Sequence, residues 1–124
     1  MKILVAEDEP MLLKTIELKL KKEGYEVIAT GDGRDAIARI EKDNPDLVIS
    51  DIMMPYASGL EVVSLVKQPG RKTIPIIILS AMEQEKVVME AFELGADDYI
   101  TKPFSLNELS IRVKRLMSRI NNKN

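Results

Sequence analysis

Five short strand-like runs, each followed by a stretch of helical periodicity, constrain this chain more than any other feature. The runs are Ile3–Ala6, Tyr25–Ala29, Leu47–Ser50, Ile76–Leu79 and Asp98–Thr101. The first, third and fourth hold no polar residue before their last position. A strand apolar on both faces must be covered on both, which is the situation of a parallel sheet with helices on each side.

The intervening stretches fit that role. Pro10 suits a first helical turn. After it Leu12, Ile16 and Leu20 recur four apart, with Leu13 alongside, until Gly24 stops the helix. The turn Thr30-Gly31-Asp32-Gly33 can cap a second helix, which carries Ala36, Ile37 and Ile40 and ends before Asn44-Pro45. A third opens at Ala57-Ser58-Gly59, carries Leu60, Val63 and Val66, and stops by Gln68-Pro69-Gly70. A fourth spans Gln84–Leu94 and ends at Gly95. The last places Leu106, Leu109, Val113, Leu116 and Ile120 on one stripe, with Ser105 and Glu108 at capping-box spacing. Right-handed crossovers leave few ways to wind five such units. A doubly wound five-stranded parallel sheet of order 2-1-3-4-5 is expected, with its crevice between the first and third strands. Residues 1–120 form one domain, and 121–124 are a frayed tail or the start of a linker.

Composition removes whole classes of chemistry. Among 124 residues there is no cysteine and no histidine. Disulfides, thiolate metal sites, the usual zinc ligand and the usual general base are therefore excluded. A formal net charge of −2 leaves no general footprint for nucleic acid. The basic end (Arg112, Lys114, Arg115, Arg119, Lys123) reads as a solvated helix face. The apolar start is too short for a signal peptide, no window is long enough to span a membrane, and a cytoplasmic location is the default.

The remaining chemistry gathers at strand ends. Leu47-Val48-Ile49-Ser50 runs into Asp51 and, four residues on, Pro55. A carboxylate at the carboxyl end of a buried strand lies on the rim where open α/β folds keep their sites. In the expected strand order Glu7 and Asp8 end the neighbouring strand, Ser80 ends the fourth, and Lys102 follows the fifth. Three clustered carboxylates repel one another, and a divalent cation relieves that repulsion. With oxygen ligands only, a hard ion is indicated, and Mg²⁺ is the natural choice. Such an ion keeps waters and takes phosphate oxygens. An Asp carboxylate attacks phosphorus, and a lysine neutralises the transferring group. Ser80 could hydrogen-bond a phosphoryl oxygen, and Met53 and Met54 are read as site-wall and packing residues.

These residues closely resemble a known family, the receiver domains of bacterial two-component response regulators, which share a flavodoxin-like (βα)5 fold. The matching pieces are Leu4-Val5-Ala6-Glu7-Asp8-Glu9, Ile49-Ser50-Asp51-Ile52-Met53-Met54-Pro55 with Gly59, Leu79-Ser80-Ala81, and Gly95-Ala96-Asp97-Asp98-Tyr99-Ile100-Thr101-Lys102-Pro103-Phe104. The resemblance implies that Asp51 accepts a phosphoryl group from a sensor histidine kinase or phosphotransfer protein. It implies Mg²⁺ bound by Asp8, Asp51 and the Met53 backbone carbonyl, with Glu7 in the outer sphere. It makes Lys102 the phosphate-binding cation, Ser80 and Tyr99 the switch residues, and Lys102-Pro103 a cis peptide. The run around Asp97 is most similar to regulators that carry a winged-helix DNA-binding domain. Those form phosphorylation-promoted homodimers through the fourth helix, fifth strand and fifth helix. Asp97, Asp98, Glu108, Arg112 and Arg119 match acid and base positions of that interface, while Val88 stands where a basic residue is usual. The receiver itself is expected to touch neither nucleic acid nor membrane, and to act as a signalling module that assists only its own phosphorylation and slow dephosphorylation.

Two rivals from other classes are weaker. An aspartyl-nucleophile phosphohydrolase places a second Asp two residues after the first, where this chain has Met53. A flavin or nucleotide module needs a Gly-rich phosphate loop after the first strand, where this chain has Glu7-Asp8-Glu9.

Overall fold

The computed structural model describes residues 1–81 and 84–121. Five strands, β1 (Lys2–Ala6), β2 (Glu26–Thr30), β3 (Leu47–Asp51), β4 (Ile76–Ser80) and β5 (Asp98–Thr101), form one parallel sheet of order β2-β1-β3-β4-β5. Five helices alternate with them: α1 (Pro10–Lys22), α2 (Gly33–Asp43), α3 (Gly59–Val66), α4 (Glu85–Glu93) and α5 (Leu106–Asn121). The expected topology holds, and the strand bounds move by at most one residue at either end. α5 runs through Asn121, so the tail expected at 121–124 begins no earlier than 122, and residues 122–124 lie outside the described ones.

Every residue of β3 and β4 is buried. That follows from the double layering, because alternate residues of one strand feed two separate cores. On one face Leu4, Val48, Ile76 and Ile78 pack with Ala36 and Ile40 of α2, Val62, Val63 and Val66 of α3, and Ala91 of α4. On the other, Val5, Ile49, Ile77 and Leu79 pack with Ile16 and Leu20 of α1 and Leu109, Val113 and Leu116 of α5. Each fully buried Ile or Leu contributes roughly 1.5–3 kcal/mol through removal of apolar surface from water.

Register then positions the site. β1 pairs with β3 as Val5↔Ile49 and Ala6↔Ser50, so the next residues along, Glu7 and Asp51, leave the sheet side by side. β4 pairs with β5 as Ser80↔Thr101, which sets Lys102 one step past the end of the ladder. The Lys102–Pro103 peptide is cis, as the resemblance implies.

Side chains cap three of the helix starts. The Asp32 carboxylate accepts the Asp35 N–H and caps α2. Ser58 and Glu61 form a full capping box at α3. At α5 only half of the predicted box is drawn: Ser105 Oγ accepts the Glu108 N–H at 3.0 Å, while the Glu108 carboxylate turns to Arg112.

Candidate functional site

Glu7, Asp8 and Asp51 form a carboxylate cluster whose ligand oxygens all lie within 4.8 Å of one another. Their surroundings differ. Glu7 is 1% exposed and Asp51 7%, while Asp8 stands in solvent at the rim. One ammonium answers both buried acids: Lys102 Nζ lies 2.7 Å from Glu7 Oε1 and 2.9 Å from Asp51 Oδ2. The backbone supplies the remaining donors. The Glu9 N–H donates to Glu7 Oε2 at 3.1 Å, and the Ile52 N–H donates to Asp51 Oδ1 at 2.9 Å. The Lys102 side chain, 20% exposed, therefore bridges the end of β5 to the ends of β1 and β3.

The balance of charge leaves the cluster short of cations. Burial pushes the Glu7 carboxyl above its ordinary value. The Lys102 ammonium and the Glu9 amide pull it back, and repulsion from Asp51 adds to the rise. Burial would depress the Lys102 ammonium, but its hydrogen bonds to Glu7 and Asp51 outweigh that and hold it above its ordinary value. Three carboxylates against one ammonium, with oxygen donors only, suit a hard divalent cation.

The other predicted residues fall as follows. Ser80 is buried beside the cluster at the end of β4, and its carbonyl accepts the Lys102 N–H at 2.8 Å. Tyr99 is half-buried on β5, its ring centroid 6.5 Å from that of Phe92 on α4. Met53 is 64% exposed in the loop after β3, and Met54 packs against the core on the side of α2 and α3.

Four of the five proposed dimer residues are engaged within the chain. Asp97 pairs with Lys67 at 2.8 Å and accepts the Ile76 N–H. Asp98 is buried and accepts from Arg112 at 2.6 Å and Arg115 at 3.2 Å, and Arg112 also reaches Glu108 at 3.3 Å. Arg119 borders a separate groove with Lys67 and Lys72. By sequence alone Arg115 belongs only to a solvated basic face. Its spacing of three from Arg112 was the available signal that both reach one acid.

Gly59 is a second residue whose structural reason sequence alone did not supply. A Cβ there would lie 2.3 Å from the Asp51 carbonyl oxygen, so only glycine lets α3 start directly under the phosphoacceptor candidate. The Gly59 N–H instead donates to the Ile52 carbonyl at 2.8 Å and closes the loop after β3.

The comparisons with known proteins agree with this geometry. The family model described as "Response regulator receiver domain" matches residues 3–114. The alkaline phosphatase synthesis transcriptional regulatory protein PhoP of Bacillus subtilis is 40% identical over 118 residues, covering 95% of this chain and 49% of that protein. The chain thus spans about half the length of this relative. Among solved structures, the receiver domain of Francisella response regulator 1452 superposes with a TM-score of 0.88 at 37% identity, covering 96% of this chain and 98% of that one. The chemotaxis response regulator CheY4 of Vibrio cholerae gives a TM-score of 0.85 at 31% identity, covering 93% and 97%. The chain belongs to the response regulator receiver domain family, whose members are signalling switches that work with histidine kinases or phosphotransfer proteins.

Proposed function

We propose that Asp51 is the phosphoacceptor of a Mg²⁺-dependent switch, and that the observation carrying this is the shared Lys102 bridge between buried Asp51 and buried Glu7. Asp51 Oδ1 is held by the Ile52 amide, which leaves Oδ2, the oxygen facing Lys102, to attack phosphorus. The bond from phosphorus to the donor's histidine nitrogen breaks as the bond to Oδ2 forms, and the nitrogen keeps the electron pair. Asp8, Asp51 and the Met53 backbone carbonyl would hold the metal, with Glu7 beside them. Bound there, Mg²⁺ supplies positive charge to the phosphoryl oxygens. Lys102 gives up its place on Asp51 and pairs with the phosphoryl group, and the Ser80 hydroxyl donates to one of its oxygens.

Ser80 and Tyr99 then carry the change outward. Ser80 ends β4 beside the site, and Tyr99 lies on β5 against Phe92 of α4. The output surface is the face of α4, β5 and α5, which in the phosphorylated form meets a second copy through Asp97, Asp98, Glu108, Arg112 and Arg119. Met89, Phe92 and Ile111 stand exposed on α4 and α5 and supply apolar area for that contact. Because Asp98 and Arg112 already pair within the chain, dimerisation through these two exchanges partners. Residues 1–120 are the receiver unit, and the Bacillus subtilis relative supports placing it in a DNA-binding transcription regulator. Hydrolysis of the acyl phosphate is slow, because Met53 offers no acid or base to an attacking water. A cytoplasmic location fits a partner of histidine kinases, and among the described residues no helix is long and apolar enough to cross a membrane.

The test is labelling with acetyl phosphate in Mg²⁺, read by intact-protein mass. Native chain should gain one phosphoryl group, and Asp51→Asn should gain none. Labelling of Asp51→Asn at the native level would end this reading.

A further inference from the structure

Tyr56 takes a φ of 73°, in the left-handed region that side chains avoid. The Ala57 N–H donates to the Pro55 carbonyl at 2.9 Å, across Tyr56 alone. A bond spanning two residues about a positive φ is the rarer, strained form of the γ-turn. Such a turn persists only where its surroundings hold it. Here three contacts from the start of α2 do so. The Gly33 N–H donates to the same Pro55 carbonyl at 3.1 Å. Gly33 packs so closely that a Cβ would fall 2.0 Å from the Ala57 carbonyl oxygen. The Arg34 guanidinium carbon lies 3.9 Å from the centroid of the Tyr56 ring. Both side chains are exposed, Tyr56 at 71%, so ordinary core packing does not explain the stack.

The turn closes the far side of the loop that leaves Asp51. Its near side is closed by the Gly59 bond to the Ile52 carbonyl. Met53 lies between these two ties. We infer that Arg34 and Tyr56 are positioning residues for the metal site: their stack holds the γ-turn and thereby fixes the Met53 carbonyl before the cation arrives. This rests on the proposed Mg²⁺ reading, and it adds a role for two residues outside the carboxylate cluster. A free loop would lose conformational entropy when a backbone oxygen is taken up as a ligand, and a held loop has lost it already. The α2 end is a firm anchor because Asp32 caps it.

The experiment is calorimetric titration of the purified chain with Mg²⁺ alone, with thermal unfolding measured in Mg²⁺-free buffer. Arg34→Ala and Tyr56→Ala should each raise the Mg²⁺ Kd about two- to fivefold, the size of an exposed cation–aromatic contact. The double variant should be no worse than either single one, and Tyr56→Phe should bind as the native chain does. Tyr56→Gly, which accepts the positive φ but lacks the ring, should stay as weak as Tyr56→Ala. If Tyr56→Ala and Arg34→Ala lower the unfolding temperature but bind Mg²⁺ with native affinity, the positioning role is overturned while the metal site stands. Native-like binding by Tyr56→Gly would also overturn it. If native chain and Asp51→Asn alike fail to bind Mg²⁺, the metal reading itself falls and this inference goes with it.

Discussion

Two buried clusters of charge in this molecule are built from the same parts in opposite proportion. At the rim of the sheet, one ammonium, Lys102, serves two buried carboxylates, with the exposed Asp8 beside them. At the start of β5, one buried carboxylate, Asp98, is served by two guanidinium groups, with Glu108 sharing Arg112. Charge is satisfied in the second cluster and left short in the first. A buried pair that is complete acts as a staple between elements, here β5 and α5. A cluster with carboxylates to spare is a receptor for something positive. The difference teaches that burial of an acid alone says little about function, and that the local count of charge says much more.

That comparison is open to direct attack, and the largest effect should come from the rim. Lys102→Gln removes the single cation from two carboxylates that water barely reaches. In Mg²⁺-free urea denaturation it should cost roughly 2–3 kcal/mol, slightly below the range for breaking a fully buried pair because the lysine is partly solvated. Millimolar Mg²⁺ should restore a large part of that loss. A loss of equal size with and without the metal would mean that the ammonium and the cation do not share one site.

Asp98→Asn is the matched experiment on the staple. It removes the acid from Arg112 and Arg115, both of which keep access to water. It should cost about 1–1.5 kcal/mol in the same assay. Mg²⁺ should leave that cost unchanged. If Mg²⁺ rescued this variant as well, the two clusters would not be independent and the contrast would collapse.

The smallest effect is in the pH dependence. Glu7 is held above its ordinary value of 4.5, chiefly by burial. A carboxyl raised in the folded state contributes stability that is present below the unfolded value and is lost as pH rises through the folded one. Mg²⁺ binding favours the ionised carboxylate, so affinity should fall on acidification through the raised Glu7 titration, with proton uptake from the buffer when the metal is removed. Calorimetry in two buffers of different ionisation enthalpy reads this directly. Glu7→Gln should abolish the proton release without abolishing the Lys102 staple to Asp51.

Much of this is legible in the sequence. The alternation of strand and helix follows from periodicity, and crossover handedness leaves few strand orders. With the order 2-1-3-4-5, which the family resemblance also implies, strand ends become neighbours and Glu7, Asp8, Asp51 and Lys102 meet. The Asp98 staple was less legible. Both arginines sit on a helix face that reads as solvated, and only the packing of α5 against the sheet shows which acid they reach. The turn at Tyr56 was not legible at all. Nothing in Pro55-Tyr56-Ala57 signals a positive φ, since Gly or Asn is the usual marker and neither is present. It is imposed by the close approach of α2 at Gly33, a tertiary contact without a local signature.

The strand order also has a mechanical consequence. β3 is hydrogen-bonded on both sides and buried along its whole length, whereas β5 has a single neighbour. Asp51 is therefore mounted at the end of an interior strand, and Lys102 one residue past an edge strand. On the proposed reading, a change of charge at the rim would then act between an interior strand that carries the acid and an edge strand that borders α4 and α5.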